Sequence, residues 1–242
     1  MGLGRKVRKL VSSNRRLRAE LLGLLAGEGI EIGALHRALP ARHLRVRYVD
    51  RLPAAELRKQ YPELAEGEIL EPDILDDGEV LASIPDASLD FVIASHVLEH
   101  LANPIGALLH WQRVLRPAGR VFLALPDKRF TFDRGRALTP IEHLVADFEH
   151  PSRERDYEAF RDFALEVGCR HFRHRPEAES EDLARELFER GYSIHYHVWT
   201  FEAFRALLDH LEERQRGWRM KRVAEKPTRG DEFFFVLERL PG

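Results

Sequence analysis

Acidic residues and histidines follow several predicted strands of this 242-residue chain. Asp50 ends the segment RVRYVD, and Asp73 follows a short apolar segment. An acid at the end of a strand can accept hydrogen bonds from both hydroxyls of an adenosine ribose, although aspartate also favours ordinary turns. His96 and His100 follow the apolar run LDFVIAS, and histidine suits proton transfer near neutral pH. These residue types indicate a nucleotide-derived ligand beside a proton acceptor.

The elements that must position these side chains alternate between strands and helices. Five segments are predicted to be strands: 30–33, 45–50, 68–71, 89–95 and 120–125. Three segments between or before them are predicted to be helices: 13–27, 54–59 and 103–115. This alternation predicts a parallel sheet with helices on both faces. A ligand would then bind at the carboxyl ends of the strands, near the point where the strand order reverses.

The pattern changes after the fifth strand. Residues 139–190 are predicted to be helical and highly charged, with breaks near Pro151, Gly168 and Pro176. The alternation resumes at a helix predicted over 201–211, which two further strands follow, at 218–223 and 232–238. The middle third of the chain is therefore predicted to be an insertion.

These elements together predict an α/β fold of the Rossmann-like, doubly wound type. The sheet would have seven strands and be mostly parallel, with an antiparallel edge strand. Residues 1–28 are expected to form a helical lead-in and residues 29–242 the main domain, with a helical insertion or lid at about 131–198.

Composition narrows the class of partner. The formal net charge is −2, so no overall basic excess points to nucleic acid. The first eighteen residues carry seven basic side chains and no acid, which fits a solvated helix or, less favoured, a basic amphipathic helix on a membrane surface. No apolar stretch approaches the roughly 20 residues of a membrane-spanning helix, and no secretory signal is evident. Cys169 is the single cysteine, so we expect a cytoplasmic protein without an internal disulfide.

The loop after the first strand separates classes of nucleotide cofactor. A dinucleotide site needs the pattern G-x-G-x-x-G, so that backbone N–H groups can approach a pyrophosphate. Here the loop reads GALHRAL and contains one glycine, Gly33. This argues against an oxidoreductase that uses NAD or FAD. It argues less against a ligand without phosphates.

At this point the sequence resembles a known family, the class I S-adenosylmethionine-dependent methyltransferases of the small-molecule type. Five stretches carry the resemblance: GIEIG at 29–33, VD at 49–50, PDI at 72–74, SLDFVIASHVLEHL at 88–101 and VLRPAGRVF at 114–122. The last two are the most specific. The resemblance covers residues 29–126 well and residues 200–238 by topology alone.

The resemblance implies S-adenosylmethionine as the cofactor and a small-molecule acceptor with an oxygen or nitrogen nucleophile. It implies nine cofactor-binding positions: Glu31, Gly33 and Ala34 in the first loop, Asp50 and Arg51 at the ribose, Asp73 and Ile74 at the adenine, and Ser95 and His96 at the methionine portion. The loop departs from the family pattern because Ala34, Leu35 and Arg37 replace its later small residues. A non-catalytic module that has lost the cofactor is therefore the alternative.

Methyl transfer requires alignment of nucleophile and methyl group, and a general base assists when the acceptor is a hydroxyl. His100 is the first candidate for that base and His96 the second, although a structural role for His100 is an equal alternative.

Five residues are predicted to line the acceptor pocket: Lys128, Arg129, His195, His197 and Trp199. His195 and His197 would point the same way in an extended segment. An H-x-H pair is also a common metal-ligand spacing, but no cluster of cysteines or acids supports it, so no metal site is predicted.

Overall fold

The computed structural model describes residues 14–61, 69–215 and 217–241. Within them, seven strands form one sheet in the order β3-β2-β1-β4-β5-β7-β6. The strands are β1 Glu28–Ile32, β2 Arg45–Asp50, β3 Ile74–Leu75, β4 Leu89–Ser95, β5 Leu115–Pro126, β6 Met220–Arg229 and β7 Glu232–Arg239. Strands β1 to β5 are parallel to one another, whereas β7 is antiparallel to both β5 and β6. The predicted doubly wound α/β fold is confirmed.

Helices cover both faces of the sheet. Residues 14–22 are helical (α1), and six further α-helices follow: α2 Ala54–Gln60, α3 Pro104–Val114, α4 Ile141–Glu149, α5 Arg153–Phe163, α6 Ser180–Glu189 and α7 Phe201–Arg214. Within the part of the chain that the structure describes, no helix is long and apolar enough to cross a membrane. Most of the basic amino-terminal segment, residues 1–13, lies outside the described residues. The membrane contact that was weighed for this segment therefore stays a prediction.

The central strands are apolar on both faces because both faces are covered. On β4, Val92 and Ala94 face the side of the sheet packed by α3 and α7, while Phe91 and Ile93 face the other side. On that second side, Leu22 of α1 packs in one cluster with Phe234 of β7. Helix α1 is thus built into the same core as the carboxyl-terminal strand.

Two predicted elements differ from the structure. The third strand was predicted over 68–71, but Ile69 to Glu71 are not in a strand, and β3 is a two-residue strand beyond Pro72. No break occurs at Gly168, because the chain continues there as a π-helix over Ala164–His171. A Cβ at Gly168 would lie 2.6 Å from Leu183 Cδ2, so the glycine permits close packing against α6.

The inserted helices have a small core of their own, built around Phe160, Ala164, Leu183 and Ile194. An extended segment, residues 194–199, leaves this core and passes the ends of β4 and β5. The N–H of Tyr196 donates to the carbonyl of Glu99 at 2.7 Å. This segment places insertion side chains beside the carboxyl edge of the sheet.

Candidate active site

Three residues end neighbouring strands at one level of the sheet. Gly33 directly follows β1, whereas Asp50 is the last residue of β2 and Ser95 is the last residue of β4. Ile32 of β1 pairs with Val49 of β2 and with Ala94 of β4, so the three residues lie at the same level. The N–H of Gly33 donates to the carbonyl of Val49 at 2.9 Å, which ties the first loop to the end of β2. Sequence reasoning placed all three at this edge, and the structure brings them together.

The first loop turns on left-handed backbone. Gly33 has φ +63°, and a Cβ there would lie 3.3 Å from Val97 Cγ2. Leu35 also has positive φ, +48°, a conformation that costs a non-glycine residue roughly 1 kcal/mol or more. The N–H of Arg37 donates to the carbonyl of Ala34 at 2.9 Å. The loop therefore makes a tight turn although it contains one glycine.

The buried carboxylate of Glu31 is hydrogen-bonded to the backbone at the far end of this loop. Its carboxylate accepts the N–H of Leu39, with Oε1 at 3.0 Å and Oε2 at 3.2 Å. The side chain is buried, and this burial raises the pKa of Glu31 to about 7. Glu31, which was predicted to form part of the cofactor loop, thus supports the backbone of that loop.

Asp50 is fixed by backbone N–H groups. Arg51 donates its N–H to Asp50 Oδ1 at 2.8 Å, while the Arg51 side chain is exposed. Burial raises the pKa of Asp50, and the backbone N–H groups of Arg51 and Leu52 oppose that rise. The carboxylate is positioned by the main chain at the strand end.

Asp73 was predicted to follow the third strand, but it precedes that strand, because β3 begins at Ile74. The N–H of Tyr48 donates to Asp73 Oδ2 at 2.8 Å, so Asp73 lies at the entrance of β3. The acid that follows β3 is Asp76, which accepts the hydroxyl of Ser83 at 2.6 Å and its N–H at 2.8 Å. The adenine-binding role of Asp73 and Ile74 stays a prediction.

His96 ends β4 in a left-handed conformation, with φ +55°. Its side chain is 38% exposed, its Nε2 lies 3.1 Å from Glu232 Oε2, and its Nδ1 lies 3.6 Å from Glu99 Oε1. Burial lowers the pKa of His96, but the hydrogen bond to Glu232 and the charges of both carboxylates raise it above its usual value. The His96 side chain is therefore partly accessible at this edge of the sheet.

His100 does not fit the role of general base. Its Nδ1 lies 2.9 Å from the carbonyl oxygen of Ile194 and 3.0 Å from Ser193 Oγ. Because a carbonyl only accepts, Nδ1 carries the proton and Nε2 carries the lone pair. Burial and the neighbouring His195 lower the pKa of His100 to about 3, far below the range useful to a base at neutral pH.

His195 and His197 lie in different polar clusters, so the prediction of a shared direction is wrong. The chain bends at Tyr196, which breaks the strand alternation. His195 Nδ1 lies 2.6 Å from Asp133 Oδ2. His197 Nε2 donates to the carbonyl of Ala102 at 3.1 Å, and burial lowers the pKa of His197 to about 4.

The remaining predicted acceptor residues are engaged within the protein. Lys128 Nζ donates to the carbonyl of Arg134 at 3.1 Å, and the Arg129 guanidinium binds Asp127 at 2.6 Å. Trp199 is a core residue, 1% exposed. The structure therefore contradicts Trp199 as a pocket residue and gives Arg129 an internal counter-ion in place of an anionic acceptor.

Sequence reasoning gave no role to three buried acids beside these histidines. Asp133 and Glu232 contact His195 and His96, and Glu99 lies between the two histidines with no exposed surface. The signal for Glu232 is an acid that opens the apolar strand EFFFVLE. Glu99 directly precedes His100 in the sequence and has no further signal.

Part of the chain is similar in sequence to known methyltransferases. Residues 25–123 match the family model of a methyltransferase domain. A "Probable S-adenosylmethionine-dependent methyltransferase" of Mycobacterium tuberculosis is 33% identical over 118 residues, which cover 49% of this chain and 39% of that protein. One from Mycolicibacterium smegmatis is 35% identical over 113 residues, covering 47% and 40%. A solved structure from Pyrococcus horikoshii has the same fold, with a TM-score of 0.51 at 14% identity, covering 96% of this chain and 91% of that one.

The chain spans about two fifths of the length of the curated relatives it matches. The region matched by the family model contains β1 to β4, most of β5 and the strand ends that carry Gly33, Asp50 and Ser95. This region, about two fifths of the chain, is similar to the methyltransferase domain of S-adenosylmethionine-dependent methyltransferases.

Proposed function

We propose that this chain transfers the methyl group of S-adenosylmethionine to an oxygen or nitrogen atom of a small-molecule acceptor. The observation that carries the proposal is the alignment of Gly33, Asp50 and Ser95 at the carboxyl ends of three adjacent strands. Open parallel sheets bind their ligands at this edge. The family match over residues 25–123 supports the choice of cofactor.

The strand ends fit the cofactor. The first loop reaches its left-handed turn at Gly33 without a side chain in the way, and the main chain holds the Asp50 carboxylate for a ribose diol. Ser95 would lie near the methionine portion. When bound, the cofactor supplies a methyl group already activated on a sulfonium centre, so the protein mainly has to align the nucleophile.

On the acceptor side, we assign proton removal to His96. It is the partly exposed histidine at the end of β4, and Glu232 orients its Nε2 at 3.1 Å. Residues 194–199 cover the neighbouring strand ends, which favours a small acceptor over a macromolecule. His96 would accept the proton as the acceptor's oxygen or nitrogen attacks the methyl group.

Calorimetric titration with S-adenosylmethionine and S-adenosylhomocysteine tests the cofactor site. We expect micromolar binding by the wild-type chain and at least a tenfold loss in Asp50→Ala, because the ribose hydroxyls lose their acceptor. Asp182→Ala, an exposed acid on α6, is the matched control and should bind like wild type. If well-folded wild-type protein binds neither ligand, the non-catalytic module becomes the better explanation.

The assignment of His96 is tested with an acceptor found by screening small hydroxyl and amine compounds for release of S-adenosylhomocysteine. His96→Gln should slow methylation about 100-fold or more, which is the usual contribution of a general base. The Kd for S-adenosylmethionine should change little. His210→Gln on α7 is the control, and equal rates for wild type and His96→Gln would refute the assignment.

A further inference from the structure

Glu99, His100 and His195 form a cluster of ligand atoms between β4 and the insertion. One ligand atom from each of the three residues lies within 4.8 Å of the other two. Glu99 is completely buried, and neither of its carboxylate oxygens has a hydrogen-bond partner among the described residues. An ionised carboxylate is costly to bury without a partner. The nearest basic nitrogens, His96 Nδ1 at 3.6 Å and His195 Nε2 at 4.0 Å, lie beyond hydrogen-bond distance, so a bound cation would be the first direct partner of the carboxylate.

Each histidine uses Nδ1 for a contact within the protein, as metal-binding histidines often do. Such a histidine usually donates one ring N–H to a carbonyl or carboxylate and coordinates through the other nitrogen. His100 donates Nδ1–H to the carbonyl of Ile194, which leaves Nε2 with the lone pair. His195 Nδ1 lies 2.6 Å from Asp133 Oδ2, and its Nε2 faces Glu99 Oε1 at 4.0 Å.

We propose that Glu99, His100 and His195 bind a divalent transition-metal ion, with zinc the best match to the ligands. Two imidazole nitrogens and one carboxylate oxygen are a ligand set of zinc sites that keep a fourth position open. Bonds of about 2.1 Å in tetrahedral geometry place ligand atoms roughly 3.4 Å apart. The ligand atoms lie within 4.8 Å of one another, so metal binding would draw them together by up to about 1.4 Å.

A second cluster, His143, Asp147 and His197, also brings three ligand atoms together, but its carboxylate already has partners. The Arg155 guanidinium binds Asp147 Oδ1 at 2.7 Å, so a cation already neutralises the carboxylate. His143 Nε2 lies 3.1 Å from the other oxygen, Asp147 Oδ2. This cluster is therefore a matched negative control.

The proposed metal also bears on the acceptor. The cluster lies one side chain away from His96, whose Nδ1 is 3.6 Å from Glu99 Oε1. A metal with an open position there would bind the acceptor's oxygen or nitrogen and lower its pKa. This last step rests on the proposed function, whereas the metal site itself does not.

The test is direct metal titration of the chain after removal of bound ions by a chelator. We expect one equivalent of Co²⁺ with a micromolar or lower Kd, a visible absorption band typical of low coordination number, and displacement by Zn²⁺. Glu99→Gln and His195→Gln should each weaken binding at least tenfold. Asp147→Asn in the second cluster should bind like wild type.

Absence of stoichiometric Co²⁺ or Zn²⁺ binding by folded wild type would overturn the proposal, and so would unchanged binding in Glu99→Gln. Circular dichroism establishes that each variant is folded. If Glu99→Gln does not fold, Asp133→Asn replaces it, because loss of the carboxylate on His195 should weaken metal binding about 10- to 100-fold. Neither cofactor nor acceptor is present, so this result is independent of cofactor binding.

Discussion

Glu31 is a buried acid whose protonation is linked to folding. Its pKa is raised by burial to about 7, against an ordinary value of 4.5 in the unfolded chain. Between these values the folded state binds more protons than the unfolded state, so stability falls as the pH rises through this window. Below pH 4.5 the contribution is fully present, and above about pH 7 it is lost.

We therefore expect Glu31→Gln to flatten the pH dependence of stability. The neutral amide can still accept the N–H of Leu39. The free energy of unfolding in urea should drop by up to about 3 kcal/mol more for wild type than for Glu31→Gln between pH 5 and pH 8. Glu71→Gln, at an exposed position, should keep the wild-type profile. Parallel profiles for wild type and Glu31→Gln would show that Glu31 titrates normally.

Single residues also show which positions at the sheet edge the sequence can predict. Gly33, Asp50 and Ser95 lie at strand ends as predicted, because strand ends can be located from apolar runs and the turn residues that follow. Their cofactor-binding roles stay predictions. The role of His100 depends on the carbonyl of Ile194, 94 residues away along the chain. A contact at that separation leaves no local pattern, so the tautomer of His100 and its lowered pKa were not predictable.

Helix α1 belongs to the domain core and is more than a lead-in. Its residues Leu21 and Leu22 are each 1% exposed and pack against the face of the sheet formed by Phe91 and Phe122. Arg18 of the same helix forms an ion pair with Glu232 at the start of β7. Apolar packing and a partly buried ion pair thus hold the helix to the sheet.

Leu22 in α1 and Leu24 just after the helix provide a matched test of this packing. Leu22→Ala should lower the free energy of unfolding by about 3 kcal/mol, because it leaves a cavity against the sheet. Leu24→Ala removes the same atoms from a side chain that is 38% exposed and should cost no more than about 0.5 kcal/mol. Urea denaturation of both variants measures the difference. Equal effects would mean that the helix does not pack as described.

Elements were predicted well where they are long and periodic, and poorly where they are short. The apolar run of β4 and the Asn103–Pro104 start of α3 gave correct bounds. Strand β3 has two residues, too few to show any alternation. The π-helix of the insertion crosses Gly168 because packing against α6 outweighs the low helix propensity of glycine.

At the scale of the whole molecule, the alternation of strands and helices was enough to predict the fold. Right-handed crossovers leave few arrangements for such an order of elements. The position of the insertion after β5 was also predictable from the change in pattern. Which of its side chains meet the strand ends was not, because that depends on how residues 194–199 cross the sheet.

Basic side chains and carboxylates alternate in a continuous line from α1 to α5. The line runs through eight side chains in order: Arg18, Glu232, His96, Glu99, His195, Asp133, Arg136 and Asp162. Each carboxylate between the two ends of the line has a basic side chain on either side. Buried groups in such a line depend on one another, so removal of one member leaves a neighbour without a partner.

Leu22 and Phe234 belong to one hydrophobic cluster, so this part of the core can form only after both residues have been translated. Phe234 is translated more than two hundred residues after Leu22. Until then, the apolar face of β4 and β5 that α1 covers lacks its β7 neighbour. The nascent chain carries this incomplete apolar surface over that interval, and exposed apolar strands at that stage are open to aggregation and to chaperones.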